Sequence, residues 1–168
     1  MITLRPAEPA DAEALASLLT EVDRYYGATE DESLAHRLPL IHSALFETPP
    51  SAYALLAWDD DRLVALAAYS FLWPAAGVTR SVYLKELYVS DSSRKHGVGR
   101  LLMGELCRIA RQNGCDRVEW TADTDNPIAL SFYATLGVAP DSAKLFYRLA
   151  GDAMTEMAIA TGTPLTRR

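Results

Sequence analysis

The sequence predicts an α+β fold: one mixed, mostly antiparallel sheet with helices on both faces. Three observations carry that prediction. Two apolar runs, Ala52–Trp58 and Leu63–Phe71, flank Asp59-Asp60-Asp61-Arg62, which reads as the turn of a hairpin. The stretch Ser81–Val89, rich in β-branched and aromatic residues, adds a third strand to that meander. A helix-period segment separates it from a further strand at Arg117–Thr121, so those two strands run parallel.

The remaining elements follow in order. Ile2–Arg5 reads as a short strand ended by Pro6. Pro9-Ala10-Asp11 opens a helix in which Ala12, Leu15, Leu18, Leu19 and Val22 share one face down to Tyr25, and Gly27 breaks it. A second helix is expected from Asp31 to Leu45, with Pro39 kinking or splitting it. Val98, Leu102, Leu106 and Ile109 recur at helical spacing and predict a helix over Gly99–Asn113, stopped by Gly114. Asn126-Pro127 starts another: a capping side chain, then proline at the first helical position. Ile128, Phe132 and Leu136 mark its buried stripe, and Gly137 ends it. Short strands are expected near Gly137–Ala139 and Lys144–Leu149, and a last helix from Gly151 to Ala160.

No repeat or linker interrupts the chain, so residues 1–168 are expected to form a single domain. A composition of 49% hydrophobic and 23% charged residues is that of an ordinary globular core and surface. No apolar run reaches the length of a membrane span, and the start lacks a basic region followed by an apolar one, so a cytoplasmic protein is expected. Cys107 and Cys115 fit neither a metal-ligand spacing nor a disulfide framework; Cys107 reads as a core residue and Cys115 as a free thiol. No metal is expected.

A net charge of −6 argues against nucleic acid as the main partner. Residues 1–35 hold eight acids against two bases and so account for all of it. A solvated helix face and an acidic lip that attracts a cationic substrate are both consistent with that asymmetry.

Between the 81–89 strand and the next helix lies Arg94-Lys95-His96-Gly97-Val98-Gly99-Arg100. Strand, glycine turn and helix together present backbone N–H groups to an anion. A Walker loop is excluded, because Arg100 and Leu101 follow Gly99 where Lys and Ser or Thr are needed. A dinucleotide fingerprint fails too, with Leu102 at its third glycine. What remains is R-x-x-G-x-G, on Arg94, Gly97 and Gly99. The glycines admit close approach, the helix end adds its dipole, and Arg94, Lys95 and Arg100 add charge. A pyrophosphate suits this set; a plain helix-entry turn has the same look. One helix and one strand later comes N-x-x-A-x-x-F-Y-x-x-L-G, on Asn126, Ala129, Phe132, Tyr133, Leu136 and Gly137.

The order YLKELYV, RKHGVG, NPIALSFYATLG resembles the GNAT-type N-acetyltransferase superfamily, firmly over residues 81–137 and more loosely over the whole chain. Within it, YSFLWP, VYLKELYV and the later LFYRL look like the diamine branch, which acetylates spermidine, spermine and thialysine. Lys85 and Tyr26 depart from that branch, which often carries acids at both places.

The resemblance implies a splayed parallel strand pair and acetyl-CoA as cosubstrate. The pyrophosphate would sit on backbone N–H groups from His96 to Arg100, Val98 among them. The pantetheine arm would lie where strands 81–89 and 117–121 part, bonded to the backbone of Leu87 and Val89. The Val89 N–H would meet the thioester carbonyl and strengthen its bond as an oxyanion forms. Tyr133 matches the tyrosine that protonates the departing thiolate. Asn126 matches a frequent cofactor contact, and its capping role explains it equally.

An alkyl amine arrives protonated and needs a base. Glu86, placed just before the bulge expected in its strand, is the candidate, with Tyr83 and Tyr88 as possible lining. Tyr25, Tyr26 and Trp73 are candidates for an aromatic wall. The expected reaction is direct attack in a ternary complex, moving acetyl to a primary amine of a small cationic metabolite. A peptide or protein amine is the alternative acceptor, and a non-catalytic acyl-CoA sensor the alternative role. A homodimer is expected, with the C-terminal strands and the 151–160 segment at its interface.

Overall fold

β1 (Ile2–Pro6), β2 (Tyr53–Asp59), β3 (Arg62–Leu72), β4 (Arg80–Val89) and β5 (Cys115–Trp120) form one sheet in the order β1-β2-β3-β4-β5. The first four strands pair antiparallel; β4 and β5 pair parallel, since α3 (Val98–Gln112) carries the chain back between them. The computed structural model describes residues 1–160, and the chain divides into two compact units, Met1–Asn126 and a second that begins at Pro127.

In the first unit both faces of the sheet are covered. That is why β2 and β3 are nearly continuous apolar runs rather than alternating ones. On one face Ala54, Leu56, Leu66 and Tyr88 meet Leu15, Leu18 and Val22 of α1 (Ala12–Tyr25) and Ile41 of α2 (Leu34–Leu45). Leu55 and Ala57 alternate with Ala54 and Leu56 and point to the other face, where α3 buries Val98, Leu102, Met103, Leu106 and Ala110.

The start of α1 is anchored to β1. Arg5 Nη1 and Nη2 donate to the two carboxylate oxygens of Asp11 at 2.6 and 2.7 Å, and the Glu8 N–H donates to the same carboxylate at 2.8 Å. The Arg5 guanidinium also stands 4.9 Å from the centre of the Trp58 ring. Other acids of the first 35 residues are paired as well: Asp31 with Arg24, and Asp23 with the buried Arg37.

Several expectations are corrected. The second helix begins at Leu34, not Asp31: the Ser33 hydroxyl caps it by accepting from the His36 N–H at 3.2 Å, and Asp31 is held by Arg24 instead. Pro39 does not split it; buried Arg37 and Ile41 anchor the helix on both sides of the proline. α3 starts and ends one residue early because Gly97, at φ 82°, takes the cap position. Cys107 is not a core residue, whereas Cys115 is a free thiol as expected. Cys107 lies off the buried stripe of α3 and is exposed, whereas Cys115 opens β5 and is buried.

The second unit contains α4 (Pro127–Thr135) and α5 (Gly151–Ala160). The strands expected near Gly137–Ala139 and Lys144–Leu149 do not form. Pro140 interrupts the segment, and Asp141 turns it: its carboxylate accepts from the Ala143 N–H at 3.0 Å and its carbonyl from the Lys144 N–H at 3.4 Å. Residues 144–149 are exposed, and a strand without a ladder partner has little to hold it. Among the described residues no helix is long and apolar enough to cross a membrane.

Arg5 holds the Asp11 carboxyl below the usual carboxylate range, helped by the Glu8 N–H and opposed by burial. A depressed carboxyl stabilises the fold above its unfolded pKa and loses that contribution as pH falls through the folded value. Asp11→Asn is therefore expected to cost about 1–3 kcal/mol in urea unfolding at neutral pH, with the difference from wild type closing below about pH 4.

Candidate active site

The pairing of β5 with β4 runs from Arg80↔Cys115 to Leu84↔Trp120 and ends there. β4 continues to Val89, still paired with β3 through Glu86↔Ala68, Leu87↔Ala67, Tyr88↔Leu66 and Val89↔Ala65. The register jumps from Tyr69↔Leu84 to Ala68↔Glu86, so Lys85 is the extra, bulged residue. The bulge thus precedes Glu86 instead of following it. A bulge bends a strand and increases its twist, which turns the end of β4 away from β5. The Ser90 N–H donates to the Val64 carbonyl at 2.9 Å, extending the β3 ladder. By alternation, the backbone of Leu87 and Val89 points away from β3, toward the edge that β5 has left.

β4 leads through a 3-10 turn at Asp91–Ser93 into the glycine loop. Lys95 at φ 64° and Gly97 at φ 82° both lie in the left-handed region and turn the chain sharply into α3. The first intrahelical bond of α3 runs from the Leu101 N–H to the Gly97 carbonyl at 3.0 Å, so the Val98 and Gly99 N–H groups have no intrahelical acceptor. A Cβ at Gly97 would meet nothing within 4 Å, so the glycine serves the backbone turn and the space above the loop is open. Lys95, His96 and Arg100 are exposed. Backbone donors at a positive helix end, with cations beside them, fit a pyrophosphate. The Arg94 side chain turns the other way, with Nε donating to the Val89 carbonyl at 2.9 Å.

At the end of α1, Tyr25 and Tyr26 pack edge to face with ring centres 5.3 Å apart. The Tyr26 hydroxyl lies 3.4 Å from Glu86 Oε1, and the Tyr25 hydroxyl donates to Asn126 Oδ1 at 3.2 Å. Burial raises the Glu86 carboxyl above its usual range; the Tyr26 hydroxyl, the Lys85 charge and the Leu87 N–H oppose that, and Asp123 adds to it. The Tyr26 phenol is pushed up to about 12 by burial first, then by the negative fields of Glu86 and Asp123. Asp123 was invisible to sequence reasoning, since an acid in a short polar loop carries no signal of its own.

Of the other candidates, Tyr83 faces Thr121, hydroxyl to hydroxyl at 3.3 Å, across the parting strands. Tyr88 is core, packed under α1, and does not line the cleft. Trp73 stands apart in the loop after β3, its indole N–H donating to the Val78 carbonyl at 3.3 Å. Tyr133 lies in the second unit on α4, half-buried, with its ring centre 5.2 Å from that of Phe132. Ile128 of the expected stripe is 57% exposed.

The family model "Acetyltransferase (GNAT) family" matches residues 15–138. The chain belongs to the GNAT acetyltransferase family. Among curated relatives, tyramine N-feruloyltransferase 4/11 of Nicotiana tabacum is 35% identical over 92 residues, which is 55% of this chain and 39% of its own length. The chain thus spans well under half of that tobacco protein. Thialysine N-epsilon-acetyltransferase of Mus musculus is 24% identical over 92% of this chain and 96% of its own. An integron cassette protein from the mobile metagenome of V. cholerae superposes with a TM-score of 0.86 at 27% identity, over 94% of this chain and 97% of its own. The likeness to the diamine branch is in keeping with the thialysine relatives.

The Tyr26 hydroxyl favours the charged form of Glu86, so its removal favours the neutral form. Tyr26→Phe is expected to move the Glu86 titration to higher pH, read from the side-chain carboxyl carbon by NMR. A titration that stays in place would separate the two groups.

Proposed function

We propose that the protein is an acetyl-CoA-dependent N-acetyltransferase that acetylates a primary amine of a small cationic metabolite. On this reading residues 1–168 work as one domain, in the cytoplasm, as a homodimer. The observation that carries the reading is the unpaired end of β4 beside the N-terminus of α3. That edge offers a thioester arm the backbone of Leu87 and Val89. The loop Lys95–Arg100 offers the phosphates N–H groups, a helix dipole and basic side chains, and Asn126, which accepts from the Tyr25 hydroxyl, offers a further contact.

Acetyl-CoA supplies the activated acyl group. The chain's own residues manage protons and position. The acceptor arrives as an ammonium of pKa about 10 and must lose a proton before its nitrogen can form the new C–N bond. Glu86, with a carboxyl already raised by burial, takes that proton directly or through water. The Val89 N–H polarises the carbonyl under attack. As the C–S bond breaks, its electron pair stays on sulfur and Tyr133 donates the proton that makes it a thiol; the acylated nitrogen sheds its second proton to water, and the phenol regains one from water.

A small cationic acceptor is supported by the setting of Glu86, between the Tyr26 ring and the field of Asp123. Relatives named for tyramine and thialysine act on amines of that size. The exposed Lys85, one residue from Glu86, disfavours an acceptor with several charges.

Release of CoA thiol from acetyl-CoA, measured against diamines, polyamines, lysine analogues, aminoglycosides and short peptides, tests the reading. Tyr133→Phe is expected to lower kcat by about 10²–10⁴-fold while acetyl-CoA binding is kept. The acid limb of kcat/KM is expected above the ordinary glutamate range, and Glu86→Gln to remove it. Undiminished turnover by Tyr133→Phe would take that residue out of the mechanism.

A further inference from the structure

Arg94 opens the R-x-x-G-x-G pattern, and pattern alone places its charge on the phosphates. The structure commits the guanidinium elsewhere. Nε donates to the Val89 carbonyl at 2.9 Å, and Nη1 lies 2.6 Å from Asp91 Oδ1. The guanidinium carbon stands 5.1 Å from the Tyr25 ring centre and 5.5 Å from that of Tyr88. The side chain is 26% exposed.

Each contact reaches a different part of the site. The Val89 peptide is held on both polar atoms: its carbonyl by Arg94 and its N–H partner, on Ser90, by the Val64 carbonyl. Asp91 belongs to the turn that leads into the glycine loop. Tyr25 ends α1, packs against Tyr26 and bonds Asn126 beyond β5. One planar cation therefore joins the open edge of β4, the phosphate loop and the aromatic end of α1.

We propose that Arg94 is a positioning residue that clamps the Val89 edge to Tyr25 and does not itself bind the phosphates. The inference rests on the reading of that edge as the seat of the thioester arm. The clamp ties the acceptor wall to the cosubstrate edge, so the order of one is set by the order of the other. Lysine cannot replace it. A lysine ammonium is a point charge without the fork that spans the Val89 carbonyl and Asp91 while its carbon stands over two rings.

NMR titration of the full chain with acetyl-CoA and with S-acetyl-pantetheine, which lacks the pyrophosphate and nucleotide, tests this. A clamp acts on the arm that both ligands share. Arg94→Ala is expected to weaken both by the same factor, about five- to thirty-fold. Arg94→Lys, which keeps the charge and guards against a folding defect in the alanine variant, is expected to fail to rescue either. Tyr25→Leu is expected to weaken both ligands as well, and to add little in the Arg94→Ala background. Loss confined to acetyl-CoA, or rescue by lysine, would overturn the clamp and return Arg94 to the phosphates. Wild-type protein that binds neither ligand would overturn the acetyl-CoA reading, and the clamp with it.

Discussion

The parting of β4 from β5 after Leu84 is the constraint on which the rest depends. A strand pair that separates midway leaves backbone donors and acceptors of the longer strand unpaired, and such groups need partners. The bulged Lys85 makes the separation possible by twisting β4 while β3 keeps its hold on the same residues. The chain then has only Ser90–Gly97 in which to reverse and start α3. The helix N-terminus consequently opens beside the strand edge, so that an anion site and a strand-like site adjoin. Neither would exist if β5 followed β4 to its end.

The same geometry sets the chemistry of Glu86. It follows the bulge on a strand packed between two layers of helix, which half-buries it and raises its carboxyl. Tyr26 reaches it only because α1 ends in the right place. That end is fixed from a distance: Arg5 and Asp11 pin the first turn, and the Leu15, Leu18 and Val22 stripe seats the helix on Leu56 and Leu66. A network at one end of α1 thus controls a contact at the other, through a helix that packing makes rigid.

Much of this was legible in the sequence, for physical reasons that can be named. The meander, the crossover helix and the glycine entry to α3 follow from local patterns whose period or backbone demand is strong. The parting of the strands entered through family resemblance, since no local pattern marks where a ladder stops. Cys107 was misread because helical spacing defines a stripe only to within one residue, and Cys107 adjoins the buried Leu106. The failed strands at 137–139 and 144–149 show the opposite limit. Their residues suit a strand, but a strand is a partnership, and composition says nothing about the partner. Asp123 and the contacts of Arg94 depend on several elements meeting and leave no trace in any one of them.

The charge of the first 35 residues illustrates the difference between a sum and a field. Read as a total, it was consistent with either a solvated helix face or an acidic lip. In the fold, Asp11 is spent on Arg5, Asp31 on Arg24 and Asp23 on Arg37, while Glu21 accepts from the Ser90 hydroxyl at 2.7 Å. Paired carboxylates cast little field beyond a Debye length of about 8 Å in physiological salt. What a bound amine would feel is local: Glu86, the field of Asp123, the faces of Tyr25 and Tyr26, and an opposing Lys85. Preference for a cationic acceptor therefore resides in a handful of residues around the bulge, and the net charge of the chain is a poor guide to it.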